Sequence, residues 1–330
     1  MPPLRWGVLG AAWVARQAML PALRAAGAPV VAIAARDPER ARACAQAFGI
    51  PTVHPSYEAV CADPAVEAVY IPLPTHLHRP WALRAAAHGK PVLCEKPLAE
   101  SAAAAEEMRQ AFAVRGLLLG EAVMYRYHPR WPALRALVDG GELGALRHLS
   151  AAFTFPLDPA PNYRWEAACG GGALLDVGSY GVNAVCWLAG GAPEAVAACS
   201  VARGGVDLET TAVLRFPGGP TATVVAGFGS AEHQVLTVIG TRGTLTVPRP
   251  FTAWTAESYP ATLVRDGAAE PIPMVAADPY AAMVQAFTRA VRAGQPFATT
   301  AAEGCRTLHV LDACRRAAGH QRWERVSLRP

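Results

Sequence analysis

Leu4-Arg5-Trp6-Gly7-Val8-Leu9-Gly10-Ala11-Ala12-Trp13-Val14-Ala15 opens the chain with an apolar run that turns on a glycine into a helical pattern. The run Leu4–Gly10 reads as a strand and Val14–Ala26 as a helix. Gly7–Ala15 is a degenerate G-x-G-x-x-G in which Ala12 and Ala15 take the second and third glycine places. Gly10 permits the tight turn, Ala12 is small enough for a pyrophosphate to approach the backbone, and Ala15 allows close helix–strand packing. Alone the motif is weak, because a glycine turn before a helix is common without a ligand. The strands and helices after it in the chain give it weight.

Outward from this turn the same alternation repeats. Val30–Ala35 reads as a strand and Pro38–Phe48 as a helix. Val66–Leu73 is a strand, Pro80–His88 a helix, Val92–Glu95 a strand and Ser101–Arg115 a helix, and Leu117–Val123 closes the set. Continuous apolar strands alternating with helices call for a parallel sheet covered on both faces, the doubly wound dinucleotide-binding architecture. After about residue 124 the texture changes. A helix near Pro132–Val138 precedes a strand at Leu146–Phe155, and Gly170-Gly171-Gly172 opens a helix from about Ala173 to Leu188. Period-2 segments come next at Glu194–Val201, Glu209–Phe216, Thr221–Gly227, Gln234–Ile239 and Gly243–Val247, with turn glycines between them. Two helices, near Tyr280–Ala293 and Ala301–Ala318, end the chain. The expected fold is α/β: a doubly wound parallel-sheet domain over residues 1–123, and an α/β domain with a mostly antiparallel open sheet over 124–330.

The chain has 330 residues and a formal net charge of +4, with no Lys/Arg run long enough to form a stripe. Nucleic-acid binding has little electrostatic support. No segment approaches the roughly 18 consecutive apolar residues of a membrane span, and no cleavable leader is evident. The eight cysteines show no C-x-x-C pair and no metal-ligand spacing, so they read as reduced thiols of a cytoplasmic protein without a metal site.

Of 30 Lys and Arg residues, only Lys90 and Lys96 are lysines. An ammonium can give up its proton and a guanidinium effectively cannot. A chain that otherwise writes its cations as Arg, yet keeps Lys in Glu95-Lys96-Pro97 at the end of a strand, offers Lys96 as a proton-transferring group. The plainer alternative is nucleotide composition and a surface charge.

The carboxyl ends of the strands carry the other candidates. Gly10, Ala11, Ala12, Trp13 and Val14 face the phosphates of a dinucleotide. Ala35 and Arg36 follow the second strand, where an NAD-selective site usually places an acid on both ribose hydroxyls. Arg36 suits a 2′-phosphate instead, which favours NADP over NAD. The alternative takes Asp37 as the cap of the next helix and Arg36 as solvated. Leu73, Pro74, Thr75 and His78 follow the third of these strands as cofactor wall, with His78 not the base. Glu95 and Lys96 end the next strand. Asp176 and Tyr180 are four apart on one helical face, which Asn183 continues. Beside Lys96 they would form an acid/base cluster, the cation favouring the phenolate. Otherwise Asp176 is a structural acceptor and Tyr180 a buried aromatic.

These segments together resemble the Gfo/Idh/MocA oxidoreductase family. The matching stretches are Gly7–Ala15, Ala34–Arg40, Tyr70–His78 (YIPLPTHLH), Gly89–Leu98 (GKPVLCEKPL), Glu121–Pro129 (EAVMYRYHP), Gly170–Tyr180 (GGGALLDVGSY) and Gly240–Leu245 (GTRGTL). The resemblance implies a Rossmann domain, followed by an α/β domain whose open sheet often serves as the oligomer interface. A homodimer or homotetramer is the expectation. It implies that Lys96 and residue 180 flank the nicotinamide and the reacting carbinol, and that the Lys96–Pro97 bond is cis; in the mechanism expected of such a cluster, Asp176 hydrogen-bonds an adjacent hydroxyl or fixes Lys96. Tyr at 180, where many members carry His, is similar to the branch of NADP-dependent sugar dehydrogenases, glucose–fructose oxidoreductase and dimeric dihydrodiol dehydrogenases. Ala12 and bulky Trp13 depart from the commoner residues at those places. Arg126, Asn162, Arg164 and Trp165 are candidate substrate contacts, and Met124, Phe153 and Trp254 an apolar wall. The expected activity is hydride transfer between nicotinamide and a sugar or related polyol. A trans-dihydrodiol dehydrogenase and a non-catalytic NADP-binding sensor are the alternatives.

Overall fold

The structure is a computed structural model and describes residues 2–158, 160–252 and 259–328. Trp254 lies outside the described residues. The chain divides into two compact units. The first comprises Met1–Ala99, Ala103–Tyr127 and Asp278–Cys305; the second comprises Glu100–Ala102, His128–Ala277 and Arg306–Pro330.

The first unit is built on six parallel strands: β1 (Trp6–Leu9), β2 (Val30–Ala34), β3 (Thr52–Val53), β4 (Ala68–Ile71), β5 (Val92–Cys94) and β6 (Leu119–Glu121). Their order is β3-β2-β1-β4-β5-β6, so the winding reverses between β1 and β4. In open sheets of this kind ligands bind at that reversal, beyond the carboxyl ends of the strands. β1, β4 and β5 are buried along their whole length, which is why they read as unbroken apolar runs. Two elements lacked a sequence signal: the two-residue β3 and the short helix Tyr57–Ala62, whose cap is Ser56 accepting from Ala59 N at 3.1 Å.

The returning segment Asp278–Cys305 completes this unit. Asp278 caps the helix Pro279–Ala293 by accepting from Tyr280 N and Ala281 N at 2.9 and 3.1 Å. The Phe287 ring packs 5.2 Å from Trp6 and edge-on at 5.4 Å to Phe297. Phe297 presses so closely on β6 that a Cβ at Gly120 would lie 2.5 Å from its ring.

The second unit holds a nine-stranded sheet: β7 (Leu146–Thr154), β8 (Ala195–Arg203), β9 (Val206–Arg215), β10 (Thr221–Gly227), β11 (His233–Gly240), β12 (Gly243–Pro248), β13 (Ala261–Arg265), β14 (Ala268–Ile272) and β15 (Glu324–Arg325). The order is β14-β13-β12-β11-β7-β10-β9-β8-β15, and only the β7/β10 pair is parallel. Leu149, Ala151, Val224, Ala212, Leu236 and Val238 turn to the covered face. The helix Ser179–Ala189 lies on it. A Cβ at Gly181 would sit 2.9 Å from Val224 Cγ1, so glycine sets how closely helix and sheet approach. β13 and β14 were not anticipated, although the Asp266-Gly267 turn between them, with φ +49° and +80°, is a hairpin signal. β14 is an edge strand carrying Glu270 and Pro271, which suits an edge and hides the strand pattern.

Candidate active site

In the first unit, β1 ends at Leu9 and the chain turns at Gly10. Gly10 holds φ +117°, donates to Ala34 O at 2.7 Å, and would place a Cβ 3.0 Å from Leu73 Cδ2. Only glycine fits this turn, which seats the start of the next helix against the segment after β4. Ala11 is buried and Ala12 half-buried, while Trp13 stands 61% exposed. Directly after Val14 the helix widens into a π-turn, Ala15–Met19, before regular helix resumes at Leu20. Such turns occur often at functional sites.

Asp37 is the helix cap of the region. Its Oδ1 accepts from Glu39 N at 2.9 Å and Arg40 N at 3.4 Å. The carboxylate at this position is therefore committed to the backbone. Ala35 is half-buried, and Arg36 is exposed with its N–H donating to Tyr57 Oη at 3.2 Å. A glycine cradle, small residues after it and an exposed guanidinium at the end of β2 fit a dinucleotide with a 2′-phosphate.

After β4, Leu73 and Thr75 are buried and Pro74 is half-buried. His78 is 1% exposed, with Nδ1 2.9 Å from Pro97 O and Nε2 2.7 Å from Leu73 O. Burial pushes its pKa down to about 4. His78 thus braces two loops.

Lys96 is half-buried beyond the end of β5, and the Lys96–Pro97 bond is cis. Around it lie two buried carboxylates, Glu95, which the sequence offered as a cofactor contact, and Glu121, which it did not single out. Glu95 accepts from Tyr70 Oη at 2.6 Å, and burial pushes the Tyr70 phenol up. Glu121 accepts from Leu98 N at 2.8 Å, and burial raises it to about 8. Arg126 forms a buried ion pair with Glu303. Met124 is buried beside it in sequence. The available signal was a strand-end Glu in the Glu121–Pro129 motif, with no sequence neighbour to mark it as buried.

In the second unit, the triple glycine does more than open a helix. Gly170 holds φ +75°, and a Cβ on Gly171 would lie 2.5 Å from Arg164 O. The loop of Asn162–Trp165 is thereby folded back onto the helix start, with Gly172 N donating to Arg164 O at 3.0 Å. Asn162 Oδ1 accepts from Arg164 N at 3.1 Å, and Trp165 Nε1 donates to Asp158 O at 2.9 Å. Asn162 and Trp165 line a surface cleft of about 290 Å³ together with Pro161, Glu166 and Arg203. The Arg164 guanidinium meets Asp176, Nε to Oδ2, at 2.7 Å, and lies 4.8 Å from the centre of the Tyr163 ring.

Asp176 sits in a second π-turn, Leu174–Gly178, and Tyr180 in the regular helix after it. The regular i, i+4 geometry expected of this pair does not apply through the widened turn. Tyr180 is 9% exposed, its ring 5.5 Å from both Phe153 and Phe251. Phe153 is thus an apolar neighbour of Tyr180. Asn183 is buried and donates to Thr307 Oγ1 at 3.4 Å.

Comparison with known proteins agrees with this architecture. Residues 4–122 match the model of the oxidoreductase family with an NAD-binding Rossmann fold, and residues 131–246 match the GFO/IDH/MocA C-terminal domain. The chain belongs to the Gfo/Idh/MocA oxidoreductase family. It is 36% identical to a D-xylose 1-dehydrogenase (NADP(+)) of Haloferax volcanii, over 94% of this chain and 96% of that protein. It is 38% identical to a dTDP-3,4-didehydro-2,6-dideoxy-alpha-D-glucose 3-reductase of Streptomyces violaceoruber, over 96% and 95%. A 3-ketoreductase of Actinomadura kijaniata, solved with NADP and TDP-benzene, superposes with a TM-score of 0.91 at 34% identity, covering 96% of this chain and 98% of the other.

Proposed function

We propose that this protein transfers a hydride between NADP and a carbinol or carbonyl carbon of a sugar or related polyol, with Lys96 and Tyr180 in the acid/base roles. The observation that carries the proposal is the nearly full-length likeness to sugar-acting, NADP-dependent oxidoreductases. NADP, when bound, supplies the hydride-exchanging nicotinamide. Gly10, Ala11, Ala12, Trp13 and Val14 hold its pyrophosphate, Arg36 its 2′-phosphate beside Ala35, and Leu73, Pro74, Thr75, His78 and Glu95 its nicotinamide end. NAD remains a substitute of lower affinity. The first unit, which takes in the returning segment 278–305 as well as the expected N-terminal stretch, is the cofactor unit, and the second the substrate and assembly unit.

In oxidation Tyr180 Oη takes the substrate hydroxyl proton, and the Lys96 ammonium holds the hydroxyl oxygen and favours the phenolate. In reduction the same two groups return the proton. General acid/base catalysis of this kind contributes roughly 10²–10⁴ in rate. Asp176 orients Arg164 through their ion pair, and Arg164, Asn162 and Trp165 contact the sugar. Arg126, the remaining candidate substrate contact, is buried in an ion pair with Glu303. The outer face of the second sheet carries uncharged, partly exposed Val213, Thr223, Val225, Thr237 and Ile239, which suits self-association as a homodimer or homotetramer. The free cysteines among the described residues suit the cytoplasm.

The test is nicotinamide absorbance with NADP⁺ or NAD⁺ against aldoses, inositols and aromatic dihydrodiols, for wild type and Lys96→Met. Aldose turnover with NADP⁺ that disappears in Lys96→Met, while NADPH binding persists, supports the proposal. Equal loss of binding and turnover overturns the role of Lys96. Turnover of dihydrodiols alone overturns the substrate class.

A further inference from the structure

The backbone that carries Lys96 is held on successive residues by three buried ionisable side chains. Lys96 N donates to Glu95 Oε2 at 3.3 Å, Pro97 O meets His78 Nδ1 at 2.9 Å, and Leu98 N donates to Glu121 Oε1 at 2.8 Å. Glu121 is itself held from several sides. It ends β6 opposite Cys94 of β5 and is 3% exposed. Its N–H donates to Thr299 O at 2.8 Å, and its carbonyl accepts from Thr299 Oγ1 at 2.6 Å. Ala122 N donates to Cys94 O at 2.7 Å, tying the next residue to the end of β5.

Gly304 gives the Glu121 carboxylate its room. A Cβ at Gly304 would stand 2.9 Å from Glu121 Oε2 and 2.9 Å from Leu98 Cδ2. The glycine therefore lets the helix Ala301–His320 press against both partners of the Glu121–Leu98 bond. A side chain there would push carboxylate and loop together.

We propose that Glu121 is the positioning residue for Lys96: it fixes the 96–98 backbone through Leu98 N and sets the field at the Lys96 ammonium. This rests on Lys96 being an acid/base group of the reaction. The ionisable groups facing Glu121 are Cys94, Glu95 and Lys96 from β5 and its loop, the Arg126–Glu303 pair, and Cys305. Burial and the Glu303 and Glu95 charges oppose its ionisation, while the Leu98 N–H and the Lys96 charge favour it. The carboxyl ionises close to pH 8 as a result. Below that pH it keeps the Leu98 bond through a neutral oxygen. Above it, the carboxylate adds a negative charge that acts on Lys96.

The chain has only two lysines, so Lys96 can be watched directly. In protein labelled with ¹³Cε-lysine, Lys96→Met assigns the two signals. Lys90, whose ammonium donates to Asp63 O and Val66 O at 3.0 and 2.6 Å, is the internal control. Wild type is expected to show an inflection of the Lys96 signal near pH 8 that isosteric Glu121→Gln lacks, with Lys90 unchanged. Glu121→Ala, which also loses the Leu98 bond, should lower kcat by roughly ten- to hundredfold through misplacement of Lys96. Its NADPH affinity, read by fluorescence titration, should stay within about twofold, since the glycine cradle is untouched. The proposal is overturned if the Lys96 titration curves of wild type and Glu121→Gln coincide. It is equally overturned if Glu121→Ala keeps its kcat, or loses NADPH binding as steeply as turnover. The resonance reads the seat of Lys96 whether or not Lys96 is catalytic. An active Lys96→Met would therefore remove the reaction chemistry, whereas coincident curves beside an inactive Lys96→Met would remove the Glu121 role alone.

Discussion

Asp207 leaves no space for a side chain on Gly172: a Cβ there would lie 2.1 Å from Asp207 Oδ1, with the backbone at φ +108°. The other oxygen of Asp207 accepts from Leu174 N at 2.6 Å and Thr210 Oγ1 at 2.9 Å. One carboxylate from β9 thus holds the first residues of the π-turn that bears Asp176. Gly172→Ala combines a backbone strain of about 1–2 kcal/mol with the collision. Thermal denaturation should show a clear fall in Tm for Gly172→Ala, and turnover should fall further than NADPH binding. An unchanged Tm would mean that Asp207 swings aside at no cost.

Breaking the Arg164–Asp176 pair separates orientation from chemistry. Asp176→Asn keeps the shape of the side chain and removes its charge, freeing Arg164 to rotate. The expected outcome is a KM for the sugar raised by roughly tenfold with a smaller change in kcat, the pattern of lost uniform binding. A fall in kcat alone, at constant KM, would make Asp176 a participant in proton transfer.

Cofactor choice turns on Arg36. Arg36→Ala should weaken NADPH binding by roughly tenfold or more, the loss of one charge-assisted pair, and leave NADH binding nearly constant. Fluorescence titration with both nucleotides checks it. Asp37→Ala should behave differently: it removes the helix cap at a cost of about 1 kcal/mol of stability without changing the NADPH/NADH ratio.

The buried ionisable groups give stability a predictable slope with pH. Glu121 has a folded-state pKa of about 8, above the ordinary 4.5. Between those values the folded chain binds the proton that the unfolded chain has released, so this group's contribution declines as pH rises. His78, lowered from 6.5 to about 4, acts over the opposite limb: its contribution is lost as pH falls below 6.5. Denaturant melts of wild type and Glu121→Gln should therefore diverge between pH 6 and pH 8.5, with the variant losing less. Parallel curves would show that Glu121 stays ionised in the fold.

The parallel sheet was readable because its strands are short, wholly apolar and separated by helices of ordinary length. Pro38–Phe48 was placed to the residue, as Asp37 and Gly49 mark its two ends by well-understood chemistry. Periodicity failed where an element is too short or too polar to show one, as in β3, β14 and β15. The π-turns at Ala15–Met19 and Leu174–Gly178 have no compositional mark at all. For the site, exposed or strand-end residues such as Arg36 and Lys96 could be picked out by position. Glu121 and Glu303 could not, because their importance lies in burial and in partners distant along the chain.

The three-segment make-up of the first unit also bears on its birth. β6 meets its outer neighbours only when Thr299 and Thr300 arrive, through Glu121 N to Thr299 O and the Gly120–Thr300 bridge. A nascent chain that has emerged no further than Tyr127 therefore presents an unfinished β6 margin and a Trp6 without Phe287. The unit encoded first is completed among the last. Fragments ending after the Rossmann strands should need nearly the whole polypeptide, or the 278–305 piece added in trans, before they resist proteolysis.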